Sequence, residues 1–323
     1  MGLSFKQVLV TGGAGFIGSH LTESLVRQGC AVTVLDNLAS GHEANLAGVA
    51  GRVRFVRGDI RDQETLAQAA AGCEAVFHLA AVVSVPLTTE DPLGSAAVNE
   101  TGSLQLLETA RRAGARRVVF ASSSAVYGDD PTLPKREGMA PRPLTPYAVQ
   151  KLAVEYHQGV YTSLYGLETV SLRFFNVFGP RQDPASPYSG VISIFMTRAL
   201  SGTPPVINGD GLQTRDFVFV GDVVQALLSA ATSPDAPGRV FNVGTGRSVS
   251  ILELWRTIAR LAGTDARPTH GPARPGDVPH SLSSIEAARR HLQFAPRVDF
   301  DEGLSQTLEW YRRSLGGSNR KEP

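Results

Sequence analysis

The run "VLVTGGAGFIGSH" at residues 8–20 limits the possible folds more than any other stretch. A β-branched pattern runs into Gly12, Gly13, Gly15 and Gly18, and a helical pattern begins at Phe16 and Ile17. The glycines satisfy G-x-G-x-x-G through Gly13, Gly15 and Gly18, and G-x-x-G-x-x-G through Gly12, Gly15 and Gly18. Glycine permits the tight turn and lets the backbone approach a diphosphate, which then sits on unpaired helix N–H groups. Loops of many kinds also use glycine for positive φ. Context decides here: the next strand pattern, "TVLDN", ends in Asp36 and Asn37. An acid there accepts from adenosine ribose hydroxyls and repels a 2′-phosphate, which favours NAD over NADP.

The same alternation continues downstream. Strand patterns at 7–11, 31–36, 53–59, 75–80, 117–122 and 169–175 interleave with helical patterns at 17–29, 62–71, 96–113 and 146–165. Several strand patterns are apolar on both faces, as parallel strands covered by helices are. The expected fold is α/β, a doubly wound parallel sheet of Rossmann type. From Gly179 onward Pro and Gly become frequent and the alternation breaks down, except in "DVVQALLSAAT" and "RVFNVG". We therefore expect an NAD-binding domain over 1–175 with a return segment near 217–245, and a smaller mixed α/β substrate-binding domain over 176–323.

Net charge is +1 with both signs interspersed, so no basic stripe marks a nucleic-acid partner. No apolar run reaches the roughly 18 residues of a membrane span. Cys30 and Cys73 are too few for a disulfide framework, and the seven histidines form no ligand pair, so no metal is expected. A cytoplasmic location follows as the expectation.

In "LTPYAVQKLAVEYHQGVYTSLYG", Thr145 is placed to cap a helix, Pro146 to open it and Gly166 to end it. Tyr147 and Lys151, four apart, share one face near its start. A free phenol with a pKa of about 10 is a poor base at neutral pH. A nearby ammonium, the positive helix end and a cationic nicotinamide all favour phenolate, a workable acceptor for a hydroxyl proton.

With "TGGAGFIG", "LDN", "GDI", "HLAA", "NETG", "SSSAVYG", "YAVQK", "RFFNVFGPRQDP", "TRDFVFVGDV", "FNVGTG" and "RPGDVPHSLS" set side by side, the chain resembles the extended short-chain dehydrogenase/reductase family over nearly its whole length. Within that family it is similar to the nucleotide-sugar epimerase/dehydratase group. The resemblance implies that Asp59 and Ile60 flank the adenine, that Leu79, Ala80 and Ala81 line the cofactor, and that Asn99 lies on a helix supporting the site. It makes Tyr147 the acid/base, Lys151 the group that binds the nicotinamide ribose, and Ser123 the active hydroxyl. It also implies a UDP-sugar held by Asn176, Arg215 and Arg274 at the diphosphate and by Asp277 at the uridine ribose. A homodimer packing the 96–113 and 146–165 helices into a four-helix bundle is implied as well.

Family members that dehydrate the sugar carry Asp-Glu in the two positions after the active hydroxyl. Here those positions hold Ser124 and Ala125. Neither can serve as a carboxylate, so 4-epimerisation through a 4-keto sugar is expected instead. In the 4-epimerases, the residue four after the aspartate of "GD" gates the pocket beside the sugar C2 substituent. A small residue admits an N-acetyl group, and Ser281 stands there. Ser84 lies in a segment that reaches the sugar in the branch acting on UDP-N-acetylhexosamines. UDP-GlcNAc/UDP-GalNAc is the expected pair, with UDP-glucose/galactose, UDP-glucuronate, a dehydratase and a non-catalytic NAD-binding module as the competing readings.

Overall fold

The computed structural model describes residues 5–183, 190–273 and 278–318. Six strands come first: β1 (Gln7–Thr11), β2 (Ala31–Asp36), β3 (Val53–Arg57), β4 (Ala75–His78), β5 (Arg117–Ser123) and β6 (Glu168–Phe174). Between them run α1 (Phe16–Arg27), α2 (Gln63–Ala70), α3 (Val85–Glu90), α4 (Pro92–Ala96), α5 (Ser103–Arg112) and α6 (Pro146–Tyr165). After β7 (Asn176–Phe178) come α7 (Val191–Leu200), β8 (Val206–Asn208), β9 (Thr214–Arg215), β10 (Phe217–Phe219), α8 (Val220–Thr232) and β11 (Arg239–Val243). The remaining elements are β12 (Val249–Ser250), α9 (Ile251–Ala262), β13 (Thr269–Gly271), α10 (Glu286–Leu292) and α11 (Phe300–Ser318).

The main sheet is seven-stranded and parallel, in the order β11-β6-β5-β4-β1-β2-β3. Alternation along β1 shows how both faces are filled. Val8 and Val10 point into a core with Leu21 and Leu25 of α1 and Val223 and Leu227 of α8. Leu9 points the other way, toward Leu66 of α2 and Leu106 and Leu107 of α5. Each such fully buried aliphatic side chain contributes about 1.5–3 kcal/mol over leaving it exposed. The chain order reverses between β1 and β4, and in open α/β sheets that point opens a crevice at the strands' carboxyl ends. A separate core in the later part of the chain gathers Phe195 and Met196 of α7, Trp255 and Ile258 of α9, and Leu304, Leu308 and Tyr311 of α11.

One expected helix is divided. Over 96–113 the chain forms the end of α4, a π-helical turn at Ala97–Gly102, and then α5. Within that turn the Ser103 hydroxyl donates to the Asn99 carbonyl at 2.6 Å, and the Asn99 side chain is engaged by the loop after β4. Such π turns often mark functional sites. The third strand ends at Arg57, and its last ladder bond runs from Gly58 N–H to the Asp36 carbonyl at 3.1 Å. Among the described residues no helix is long and apolar enough to cross a membrane.

Candidate active site

The glycines of the first turn are required by close backbone packing. Gly12 has φ +69°, and a Cβ there would lie 2.7 Å from the Ala80 nitrogen. A Cβ on Gly18 would lie 2.1 Å from the Gly12 carbonyl oxygen. Gly15 is the N-cap of α1 and brings no side-chain cap, so the first-turn N–H groups are open to an anion. Asp36 is buried and braces this turn: it accepts from Ala14 N–H at 2.9 Å and from Leu38 N–H at 2.8 Å. Asn37 donates to Asp59 at 2.9 Å, and Arg61 grips the same carboxylate with two bonds of 2.9 Å, which holds its pKa down at about 2.

A cleft of about 680 Å³ runs from this turn to α6. Gly12, Gly15, Phe16, Ile17 and Gly18 line one part of it, with Asp36, Asn37, Asp59 and Ile60 beside them. Leu79, Ala80 and Ala81 line it further along, where β4 ends, and Ser123, Tyr147, Lys151 and Asn176 line the other part. An uncapped helix end for a diphosphate, an acid near a ribose site and a cleft of this size fit a dinucleotide.

At the reacting end, α6 begins as the sequence dictates. Thr145 accepts from Ala148 N–H at 3.2 Å, Pro146 occupies the first turn, and Gly166 ends the helix with φ +69°. Ser123 ends β5, accepts from Ala125 N–H at 3.2 Å, and places its hydroxyl against the Tyr147 phenol. Lys151 Nζ donates to the Ala121 carbonyl at 2.8 Å and lies 5.8 Å from the Tyr147 ring centre. Burial pushes the Tyr147 phenol up to about 12, with Ser123 acting against it, and pushes the Lys151 ammonium down to about 7. Burial is thus the largest influence on the phenol in the protein alone, and the cationic nicotinamide that the sequence reading counts on is a group the bound cofactor would add.

Behind this wall runs a buried polar relay. The Ser103 hydroxyl is spent on Asn99 C=O, so it accepts from His78 Nε2–H at 2.8 Å. His78 Nδ1 then accepts from the Thr11 hydroxyl at 2.7 Å, which assigns the neutral Nε2–H tautomer from the network. Asn99 donates to Val82 C=O at 2.9 Å and to Gln150 Oε1 at 2.7 Å, and accepts from Val82 N–H at 2.7 Å. It braces the loop after β4 from behind and does not line the cleft.

The residues read as sugar-contacting divide. Asn176 lines the cleft, but Ser84, Arg215 and Ser281 do not. Ser84 is buried as the N-cap of α3, accepting from Leu87 N–H at 3.2 Å. Arg215 and Ser281 come together next to the strand that carries Asn176, whose N–H donates to the Asp216 carbonyl at 3.0 Å: Ser281 N–H donates to Thr214 C=O at 3.0 Å, and Arg215 Nη1 donates to the same carbonyl at 2.9 Å. Fully buried Asp216 sets this arrangement, accepting from Thr245, Gly246 and Ser283. Arg274 and Asp277 lie outside the described residues.

Two features escaped the sequence reading. The chain turns at Arg181 with φ +69°, and its guanidinium reaches Glu23 of α1 at 2.5 Å, joining the loop after β7 to the glycine-turn helix. Arg173 and Glu155 form a buried ion pair behind the serines at 2.7 Å. The spacing Tyr147, Lys151, Glu155 was a signal for the second, since it sets all three on one helix face.

A glycine turn closed by an acid, sharing one cleft with a serine, a tyrosine and a lysine, is the arrangement of a dinucleotide-dependent enzyme. The NAD dependent epimerase/dehydratase family model matches residues 8–244, and the chain belongs to that family. Its cofactor is NAD. A UDP-glucose 4-epimerase of Mycolicibacterium smegmatis is 42% identical over 310 residues, 95% of this chain and 98% of the relative. The structure of a UDP-N-acetylglucosamine 4-epimerase from Methanobrevibacter ruminantium, in complex with UDP-N-acetylmuramic acid, superimposes with TM-score 0.92 at 39% identity, covering 96% of this chain and 99% of that one. A Thermus thermophilus UDP-glucose 4-epimerase in complex with NAD gives 0.86 at 41% identity, covering 95% and 99%. Similarity also extends to a dTDP-glucose 4,6-dehydratase of Streptomyces niveus, 36% identical over 317 residues, 95% of this chain and 93% of the relative.

Proposed function

We propose that the protein is an NAD-dependent UDP-sugar 4-epimerase that interconverts UDP-GlcNAc and UDP-GalNAc, and UDP-glucose and UDP-galactose alongside them. One observation carries this reading: Ser123, Tyr147 and Lys151 share a cleft in which no carboxylate follows the serine. The cleft's described carboxylates are engaged elsewhere, Asp36 by backbone N–H groups, Asp59 by Arg61, and Asp183 with His42 at 3.5 Å. Expelling water from a sugar needs an acid and a base beside the reacting carbon. Moving a hydride out and back needs one group that takes and returns a proton.

Tyr147 fills that role as the phenolate, which the cationic nicotinamide ring of bound NAD would favour against burial, taking the proton of the sugar 4-hydroxyl with Ser123 bridging and returning it after the 4-keto sugar has presented its other face. NAD, when bound, supplies the hydride acceptor and then the donor. Lys151, fixed on Ala121 C=O, presents its charge beside the phenol. The small side chain of Ser281 supports acceptance of an N-acetyl group, and Arg215, Arg274 and Asp277 remain the residues proposed for the UDP moiety.

A homodimer belongs to the same proposal. On α6, Tyr156, Val160 and Leu164 are 63%, 45% and 71% exposed and follow one another at helical spacing, a stripe suited to a second copy. Side-by-side assays with UDP-GlcNAc, UDP-glucose and UDP-glucuronate, without added reductant, test the function. Wild type should convert the first two, and Ser281→Tyr should lose the N-acetylated substrate alone. A 4-keto-6-deoxy product by mass spectrometry would overturn the reading in favour of dehydration.

A further inference from the structure

The proposed chemistry leaves one buried charge cluster unused. Glu155 and Arg173 have side chains only 3% and 5% exposed. Arg173 Nε donates to Glu155 Oε1 at 3.0 Å and Nη2 to Oε2 at 2.7 Å, a two-bond fork. The Ser122 hydroxyl donates to the same Oε1 at 2.5 Å. Arg173 also lies 4.8 Å above the Tyr127 ring, whose hydroxyl donates to Asn242 Oδ1 at 2.7 Å. Replacing a buried ion pair by apolar residues of similar size is often neutral or stabilising, so stability alone is a weak reason for this one.

Its location supplies a better reason. Glu155 follows Lys151 by one turn, as Lys151 follows Tyr147, so the three share a face of α6. Ser122 immediately precedes Ser123 and stands opposite Arg173 in the β5–β6 register. A single carboxylate thus holds the residue before the reacting serine and the helix turn after the reacting lysine.

We propose that Glu155, locked by Arg173, is a positioning residue that holds Ser122 against α6 and so keeps Ser123, Tyr147 and Lys151 in register, with its negative charge facing the Lys151 ammonium. The proposal rests on the reading of those three as the reacting groups. Charged and titratable groups around Lys151 come from several elements. Tyr147 and Glu155 lie on α6, His78 on β4 bears on it as a neutral ring, and Arg173 on β6 faces Glu155 from the far side. Burial drives the Lys151 ammonium down, and Glu155 opposes that fall.

The test uses NAD-loaded protein and Glu155→Gln, which keeps an acceptor for Ser122 but removes the charge. Competitive acetic anhydride labelling of Lys151, read in its peptide by mass spectrometry, reports the titration midpoint without turnover. The midpoint should fall by about one pH unit or more. The alkaline limb of kcat should fall with it, and kcat itself by about tenfold to a hundredfold with KM little changed. Glu155→Asp should restore the midpoint. If Glu155→Gln does not fold, Glu155→Gln/Arg173→Met removes the pair without leaving a buried guanidinium; the midpoint should then fall by less, because the nearer charge is lost with the farther one, and kcat should fall as before with KM little changed. A folded variant with an unchanged midpoint and pH profile overturns the proposal and leaves Glu155 a structural residue. A lowered midpoint in a protein whose wild type turns over no UDP-sugar supports the positioning role and instead removes the epimerase reading.

Discussion

Lys151 reaches across from α6 to the Ala121 carbonyl of β5 at 2.8 Å, two residues before Ser123. That bond joins the helix carrying the tyrosine to the strand carrying the serine. It also leaves an ammonium in a site where burial has driven its pKa from 10.5 to about 7. In protein stripped of NAD, the unfolded lysine keeps a proton between pH 7 and 10.5 that the folded one has released. The unfolded state therefore binds more protons there, and stability rises with pH across that window. Lys151→Met should abolish this rise, keep or raise the melting temperature at pH 7, and cut turnover at least a hundredfold. Thermal melts from pH 7 to 10 beside activity assays check all three.

Tyr147→Phe removes one oxygen from a partly buried ring whose hydroxyl partner is Ser123. Packing is retained, so folding and UDP affinity should stay near wild type by calorimetry. Turnover should fall by about 10²–10⁴, the usual range for a positioned acid/base. Wild-type rates in this variant would remove Tyr147 from the chemistry.

The parts of this site that could be read from the sequence are those fixed by local rules. The glycine turn, Asp36 at the next strand end, and α6 with its Thr145 cap, Pro146 and Gly166 are all set within a few residues of chain. The Ser84 cap is local too, a serine followed by Val85 and Pro86, a role separate from the sugar contact that the family resemblance gives the same residue. Long-range pairing was not legible. His78 finds Thr11 67 residues away, and Arg181 finds Glu23 158 residues away, separations on which no periodicity bears. The π turn at Ala97–Gly102 was hidden for another reason: one extra residue per turn barely disturbs the apolar pattern of a helix read as 96–113. The burial that raises the Tyr147 pKa was hidden too, because it is a property of the packed fold and not of the neighbouring residues in the chain.

Two glycines predict opposite outcomes. At Gly18 a Cβ would meet the Gly12 carbonyl at 2.1 Å, where only backbone can give way. Gly18→Ala should lose several kcal/mol, beyond the roughly 1–3 kcal/mol of ordinary overpacking, and lose its bound NAD. At Gly159, inside α6, nothing lies within 4 Å. Gly159→Ala should stabilise by about 0.5–1 kcal/mol through helix propensity. Urea melts and the absorbance of co-purified nucleotide separate the two.

His78 gives the acid side of the stability curve. Burial, with Lys151 adding to it, lowers the imidazole from 6.5 to about 3, and the Thr11–His78–Ser103 relay uses the neutral ring's one donor and one acceptor. Between pH 6.5 and 3 the unfolded ring takes up a proton that the folded ring refuses. Stability contributed by this group is therefore present above pH 6.5 and lost as pH falls, with a slope approaching about 1.4 kcal/mol per pH unit. His78→Gln keeps a donor and an acceptor but cannot titrate. It should be less stable than wild type by about 1–3 kcal/mol at pH 7, the cost of imperfectly paired buried groups. The difference should shrink steadily toward pH 4, because only the wild type loses the imidazole term. Urea midpoints for both proteins at half-unit steps from pH 7 to 4 measure it. A gap that stays constant across that range would mean that His78 is not held neutral, and that the relay does not depend on the tautomer assigned to it.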